Sequence, residues 1–469
     1  MTCRGGVRQN RLKKAINRFI SFEYRGAVPI KITNKVNEVI RRDKKVMFTT
    51  TRELYPFVAD HGSGDYVYDI ANNRYLDFSS FISVYNFGVN GNAEIRKAVK
   101  DQADKLMHGA FLDYYAELPV KFAESLVSMM PRGFGRVFFS NSGTEANEDA
   151  IKLAKLFTKR NYIIGFYGAF HGRSLGSLGL TSTSTKHREH FGPFPNVVHA
   201  LYPYPYRCPF GTDDPEECSK MCISHIERNI LAKEYSPKEV AAIFVEPIQG
   251  EGGYIVPPAS FIKELRRIAD EHGILLVSDE VQSGYMRTGK FLAMDNFKVT
   301  ADIYTMAKAL GAGLPAGATI AKSSFGDTPS GSHAGTFGGN LLAMAAGNAS
   351  LSYLKRNRRR IEQGVKEKGR YVMKRLNRMK ENYEIVGDVR GIGLMIGVEL
   401  VKSKKTKAPA ASERSIILDG CFKDGLLMLP CGASTIRIIP PLTIERAHLE
   451  RGMDILEENI RKASASIKA

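Results

Sequence analysis

The chain has 469 residues, 43% of them hydrophobic, with six cysteines and a formal net charge of +18 at pH 7. That length supplies a large core and more than one domain, and no run of about eighteen uncharged apolar residues offers a membrane span. So few cysteines exclude a secreted disulfide scaffold, and a soluble cytoplasmic protein is the expectation.

The charge is concentrated. Residues 1–45 carry thirteen Lys/Arg against three Asp/Glu and residues 355–380 carry twelve against two, which leaves the rest of the chain near neutral. Within residues 1–22, Leu12, Ala15, Ile16, Phe19 and Ile20 could share an apolar helix face among six basic and no acidic residues. A transit peptide, a membrane-surface helix and a plain basic extension all fit this pattern, so residues 1–28 are set apart as a basic N-terminal extension.

Further along, "RVFFSNS" (Arg136–Ser142) predicts a strand with a helix from Thr144, and "NYIIGF" (Asn161–Phe166) predicts the next strand. The Pro/Tyr/Cys-rich stretch Leu201–Cys218 reads as an irregular surface excursion. Cys208, Cys218 and Cys222 in this region match no zinc spacing, and no metal is expected. "EVAAIFVEPI" (Glu239–Ile248) and "GILLVSDEV" (Gly273–Val281) are strands either side of a helix at Ser260–His272. Continuous apolar strands separated by helices predict an α/β fold with a mostly parallel sheet covered on both faces. In the basic segment 355–380, Ile361, Val365, Val372, Leu376 and Met379 recur at helical spacing. Its charges are therefore read as the solvated face of a surface helix, since a nucleic-acid footprint would also want stacking aromatics or a recognisable module. "GIGLMIGVEL" (Gly391–Leu400) and shorter elements follow, predicting a smaller C-terminal domain. The expected division is 29–88 packing with the small domain, 89–343 as the large domain and 344–469 as the small one.

Three short patterns are rejected. "GYMRTGKF" (Gly284–Phe291) imitates a phosphate loop but has Phe291 where a magnesium-binding hydroxyl must stand. "GRSLG" (Gly172–Gly176) matches a hydrolase elbow, but the acid and histidine it needs downstream, such as Asp279 and His333, sit in better-explained motifs. "GAGLPAG" and "GIGLMIG" lack the glycine spacing of a dinucleotide fingerprint.

The stretch "TMAKALGAGLPAG" sets Lys308 among small and apolar residues. Burial lowers an ammonium pKa, and a neutral amine can add to a carbonyl, so Lys308 suits a Schiff base with pyridoxal phosphate. That cofactor also asks for a carboxylate at its ring nitrogen, which Asp279 supplies at the end of an apolar strand. Its phosphate asks for N–H groups at a helix start, which "SNSGTEANE" offers at Ser142, Gly143 and Thr144. Phe170 in "GAFHGR" provides an aromatic lid.

With these motifs the chain resembles the class III (ω-) aminotransferases of the fold-type I pyridoxal-phosphate enzymes, from about Lys31 to the C-terminus. The resemblance implies a large domain with a mostly parallel seven-stranded sheet and a smaller C-terminal α/β domain. It implies Lys308 as the Schiff-base lysine, Asp279 as partner of the pyridine nitrogen, Phe170 and Val281 on the two ring faces, and Gln282 near the ring hydroxyl. Thr336 in "GTFGGN" would reach the phosphate of the neighbouring subunit, giving a homodimer with shared sites. Glu251 in "EPIQGEGG" and Arg437 in "TIRIIPPLT" correspond to a gate glutamate and an α-carboxylate-binding arginine, and Arg173 to the arginine holding the distal carboxylate. Ile82 stands where the 4-aminobutyrate enzymes resemble it and ornithine aminotransferases tend to carry tyrosine. "GVNGN" (Gly88–Asn92) replaces the family's usual glycine-histidine-x-x-proline turn, which bears on specificity. The expected activity is 4-aminobutyrate:2-oxoglutarate transamination by a ping-pong mechanism, on small-molecule substrates without nucleic acid or membrane partners. An amino-acid racemase or an ornithine or acetylornithine aminotransferase is the nearest alternative. A basic nucleic-acid-binding protein on a degenerate enzyme fold is the remote one, and intact Lys308 and Asp279 speak against it.

Overall fold

The computed structural model describes residues 30–48, 54–194 and 196–468; the basic extension expected over 1–28 lies outside the described residues. After a helix at Asn34–Val46 comes a meander of β1 (Ala59–Ser63), β2 (Tyr66–Asp69) and β3 (Arg74–Asp77). The large sheet follows, built from β4 (Phe134–Ser140), β5 (Tyr162–Phe166), β6 (Val197–Ala200), β7 (Val240–Val245), β8 (Leu275–Asp279), β9 (Ile303–Met306) and β10 (Gly317–Lys322). Its order is β4-β10-β9-β8-β7-β5-β6. β10 runs antiparallel to both neighbours, while the other pairs are parallel. Every residue of β7 is buried, as expected of a central strand covered on both faces.

Strand ends fall one to three residues from the predicted ones, and after β4 polar side chains set the boundary. Ser142 leaves β4 in an extended conformation and its hydroxyl accepts from Glu145 N. The Glu145 carboxylate turns back to Asn141 N at 2.5 Å. This reciprocal capping starts the helix Gly143–Thr158 one residue earlier than expected. Leu201–Cys218 is only in part the surface excursion expected of it, irregular and largely exposed over residues 209–214. The helix Pro215–His225 begins inside it, and Tyr202, Cys218 and Cys222 are buried in the main core.

The helix Leu341–Asn382 joins two cores. Met344, Leu351, Ile361 and Val365 pack in the large-sheet cluster, and Val372, Leu376 and Met379 in the C-terminal one. These positions face inward at helical spacing, so the basic residues between them take the outer face. The C-terminal part carries β11 (Val386–Ile392), β12 (Met395–Leu400), β13 (Leu426–Leu427), β14 (Leu429–Cys431) and β15 (Thr435–Ile438). β11, β12, β15 and β14 form an antiparallel sheet in that order, while β13 pairs parallel with β3 and ties the N-terminal meander to this part.

Between β3 and the first long helices, Ser80, Phe81, Ile82 and Ser83 have φ of 45°, 48°, 65° and 64°. Four consecutive non-glycine residues in left-handed conformation cost about 1–2 kcal/mol each, so neighbouring contacts must hold this turn. Among the described residues no helix is long and apolar enough to cross a membrane.

Candidate active site

β9 ends at Met306, and the chain turns sharply through Ala307 and Lys308, whose φ is 49°. This turn delivers Lys308 to a cleft of about 480 Å³, whose lining also includes Ser142, Gly143, Thr144, Phe170, Arg173, Asp279 and Val281. Burial is the main force lowering the Lys308 pKa; Asp279 and Glu246 pull it back up and Arg437 lowers it further. The apolar surroundings of the lysine thus have a chemical consequence, which is to make its free amine accessible.

Asp279 stands at the carboxyl end of β8 and is almost fully buried. Its Oδ1 accepts from Val281 N at 2.9 Å, and its Oδ2 accepts from Asn147 Nδ2 and His171 Nδ1, each at 2.8 Å. Asn147 is itself oriented by Thr305 Oγ1, which donates to its Oδ1 at 2.7 Å, and by its own donation to His171 O. Glu246 receives Phe170 N and Gly250 N. Burial raises its carboxyl to about 7 although His171 draws it down. Asn147, His171 and Glu246 were not singled out from the sequence. Their only signal was adjacency to motif residues, as in "SNSGTEANE" and "GAFHGR".

The cleft lining also takes in a helix start. Gly143 and Thr144 lie in the first turn of Gly143–Thr158, where N–H groups have no intrahelical acceptor. The Thr144 hydroxyl sits 2.7 Å from Ser174 Oγ and 2.6 Å from Ser177 Oγ, and accepts from the N–H groups of Arg173 and Ser174. Close approach here requires glycine twice. A Cβ at Gly143 would lie 2.7 Å from Val281 Cγ1, and one at Gly172, where φ is 138°, would lie 2.1 Å from Thr144 Oγ1. N–H groups and hydroxyls converging at a helix N-terminus suit a phosphate. Gln282 Oε1, where the resemblance expects a partner for the ring hydroxyl, is a buried acceptor with no partner among the described residues. The donor set, the amine and this orphaned oxygen fit pyridoxal phosphate.

Of the remaining predicted residues, Arg173 lines that cleft, while Arg437, Glu251, Gln282, Ile82 and Thr336 are not part of its lining. Arg437 Nη2 donates to Glu251 Oε2 at 2.8 Å, with the side chains 6% and 36% exposed. Arg437 Nε and Nη2 also donate to Pro430 O, while Nη1 has no partner among the described residues. Burial opposes the Arg437 charge, but Glu251, with help from Tyr254 and Cys431, outweighs it and holds the pKa above the usual value. The exposed Arg173 guanidinium lies 4.8 Å from the Phe170 ring centre. Gln282 lies against Gly250. Ile82 is 40% exposed on the left-handed turn, and the cleft wall there is Val84. Thr336 is exposed in the loop before Leu341–Asn382.

A profile of the family described as Aminotransferase class-III matches residues 48–460. Similar chains include a "Leucine/methionine racemase" of Thermococcus litoralis, 39% identical over 90% of this chain and 95% of that one. A "Probable 4-aminobutyrate aminotransferase" of Bacillus subtilis is 34% identical over 86% of this chain and 93% of its own. Among solved structures, the taurine:2-oxoglutarate aminotransferase of Bifidobacterium kashiwanohense, in complex with PLP and glutamate, superposes with a TM-score of 0.86 at 29% identity. That match covers 93% of this chain and all of the other.

Proposed function

The chain belongs to the class III aminotransferases, which use pyridoxal phosphate, and we propose that it moves an amino group from an ω-amino donor such as 4-aminobutyrate to 2-oxoglutarate. The observation that carries this reading is the Glu251–Arg437 pair. A pocket that must accept glutamate in one half-reaction and a donor without an α-carboxylate in the other needs a guanidinium that can be neutralised from within. Glu251 does this when no carboxylate arrives, and it is exposed enough to swing aside when one does.

When bound, the cofactor supplies an aldehyde carbon for amine capture and a ring that accepts electron density from the substrate carbon. Lys308, with its lowered pKa, holds the free amine that takes and returns the substrate proton. Asp279, fastened by Asn147 and His171, presents a carboxylate to the ring nitrogen and keeps a proton there. Ser142, Gly143 and Thr144 hold the phosphate, Phe170 and Val281 confine the ring, Gln282 receives its hydroxyl, and Arg173 takes the distal carboxylate. The exposed Thr336 and the neighbouring Phe337, 58% exposed, support a homodimer in which this loop completes the partner's phosphate site.

A second reading, racemisation, is favoured by the 39% identity to the leucine/methionine racemase. Returning the proton to the opposite face of the substrate carbon gives the enantiomer instead of the keto acid. One panel separates the two. 4-aminobutyrate, ornithine, acetylornithine and common L-amino acids are each offered with 2-oxoglutarate, and the L-amino acids also without it. Glutamate formed from 4-aminobutyrate above the other donors supports the proposal. D-amino acid formed without keto acid, and no glutamate from any ω-donor, replaces it with the racemase.

A further inference from the structure

Arg287, from the motif rejected as a phosphate loop, is fully buried, and among the described residues its bonded acceptors are all neutral. Its Nε donates to Ser83 Oγ at 3.0 Å and its Nη2 to Asn86 Oδ1 at 2.6 Å. Its Nη1 donates to the carbonyls of Pro440 at 2.6 Å and Leu394 at 3.2 Å. A buried guanidinium among neutral acceptors is costly to keep, and its planar fork fixes several acceptors at once. One of those acceptors, Ser83, ends the left-handed turn Ser80–Ser83, and another, Asn86, lies three residues beyond it. The start of the turn is held by Asp77 Oδ1, which accepts from Ser79 N, Ser79 Oγ and Ser80 N, and by Ser80 Oγ, which donates to Ile439 O at 2.6 Å.

The turn leads directly into the cleft wall. Val84 lines the cleft beside Lys308, and a Cβ at Gly313, another lining residue, would lie 2.8 Å from the Tyr85 ring. We infer that Arg287 is a positioning residue: by clamping Ser83 and Asn86 it holds the strained turn, and through Val84 and Tyr85 it sets the wall that the substrate meets. It touches neither cofactor nor substrate. It therefore governs substrate affinity and leaves the chemical step to Lys308 and Asp279. The kinetic form of this inference rests on the aminotransferase reading.

The test uses Arg287→Lys, which keeps the charge and loses the fork, and Ser83→Ala, which removes one acceptor with little risk to folding. For the best donor of the panel, KM should rise roughly tenfold in Arg287→Lys while kcat stays within about threefold. The visible absorbance of the bound cofactor should be retained, and peptides covering residues 78–88 should exchange amide hydrogen faster. Ser83→Ala should move KM and exchange in the same direction by less. Adding Phe81→Gly to Arg287→Lys removes the penalty of φ 48° at that position and should return exchange and KM toward the parent values. A lowered melting temperature with unchanged KM and unchanged exchange at 78–88, a fall in kcat alone, or no recovery from Phe81→Gly would each overturn the inference. The exchange measurement needs no turnover, so a failed donor panel sinks the activity and leaves the clamp separately testable.

Discussion

Glu251→Ala is the sharpest perturbation of the substrate pocket. Arg437 is nearly buried, and among the described residues it keeps only Pro430 O when Glu251 is removed and already has one nitrogen without a partner. Breaking a fully buried pair costs about 3–5 kcal/mol. Glu251 is about one-third exposed, so solvent screening reduces this to roughly 1.5–3 kcal/mol. That penalty falls only where no carboxylate meets Arg437. The half-reaction with 4-aminobutyrate should therefore fall behind that with glutamate, whose own α-carboxylate relieves the penalty, by a factor of about 10–100 in relative kcat/KM. Following the cofactor absorbance in single turnovers with each substrate separates the two. Equal losses, or a larger loss with glutamate, would refute the gate and make the pair a structural bridge.

Lys308→Ala should abolish both the visible band of the holoenzyme and turnover, and persistence of either removes the lysine from the centre of the chemistry. Asp279→Asn should retain cofactor yet lower turnover by several orders of magnitude, which a mild loss would contradict. Gly172→Ala forces a Cβ to within 2.1 Å of Thr144 Oγ1. Cofactor affinity measured by dialysis and re-addition should fall, and an unchanged affinity would show that the Thr144 cluster does not form the phosphate site. Burial raises Asp149 and Glu246 to about 7 and Glu280 to about 8. The folded state therefore holds protons that the unfolded chain releases, and stability falls as pH rises through this window, by up to ~1.4 kcal/mol per pH unit for each group. The melting temperature should drop between pH 7 and pH 8.5 at fixed ionic strength, and a rise would contradict the burial of these carboxyls.

What could be read from the sequence was whatever local chemistry dictates. Four of the seven strands of the large sheet, β4, β5, β7 and β8, announce themselves as apolar runs, and Lys308, Asp279, Phe170 and Gly143 stand in short motifs whose residue types the cofactor would demand. These four do line one cleft. Sheet order is different, since "GATIAK" is equally apolar whether its strand runs parallel or, as β10 does, antiparallel. β1 was invisible for the opposite reason: it is largely exposed and carries no apolar alternation.

The hardest features to read depend on partners far apart in the chain. His171 and Asn147 reach Asp279 across 108 and 132 residues, and each alone is an ordinary polar residue beside a motif. The turn "SSFIS" contains no glycine to signal a left-handed backbone; its conformation is imposed by Asp77, Arg287 and Ile439, the last two about 200 and 360 residues away. Arg287 shows the same limit from the other side. In sequence it belonged to a phosphate loop that lacked its hydroxyl, and only its four neutral acceptors, drawn from residues 83, 86, 394 and 440, indicate why a charge is kept where solvent cannot reach it. Motif reading finds the groups that meet the cofactor, because chemistry constrains their type. The groups that aim them are constrained by geometry alone, so they become visible only once the chain has folded around them.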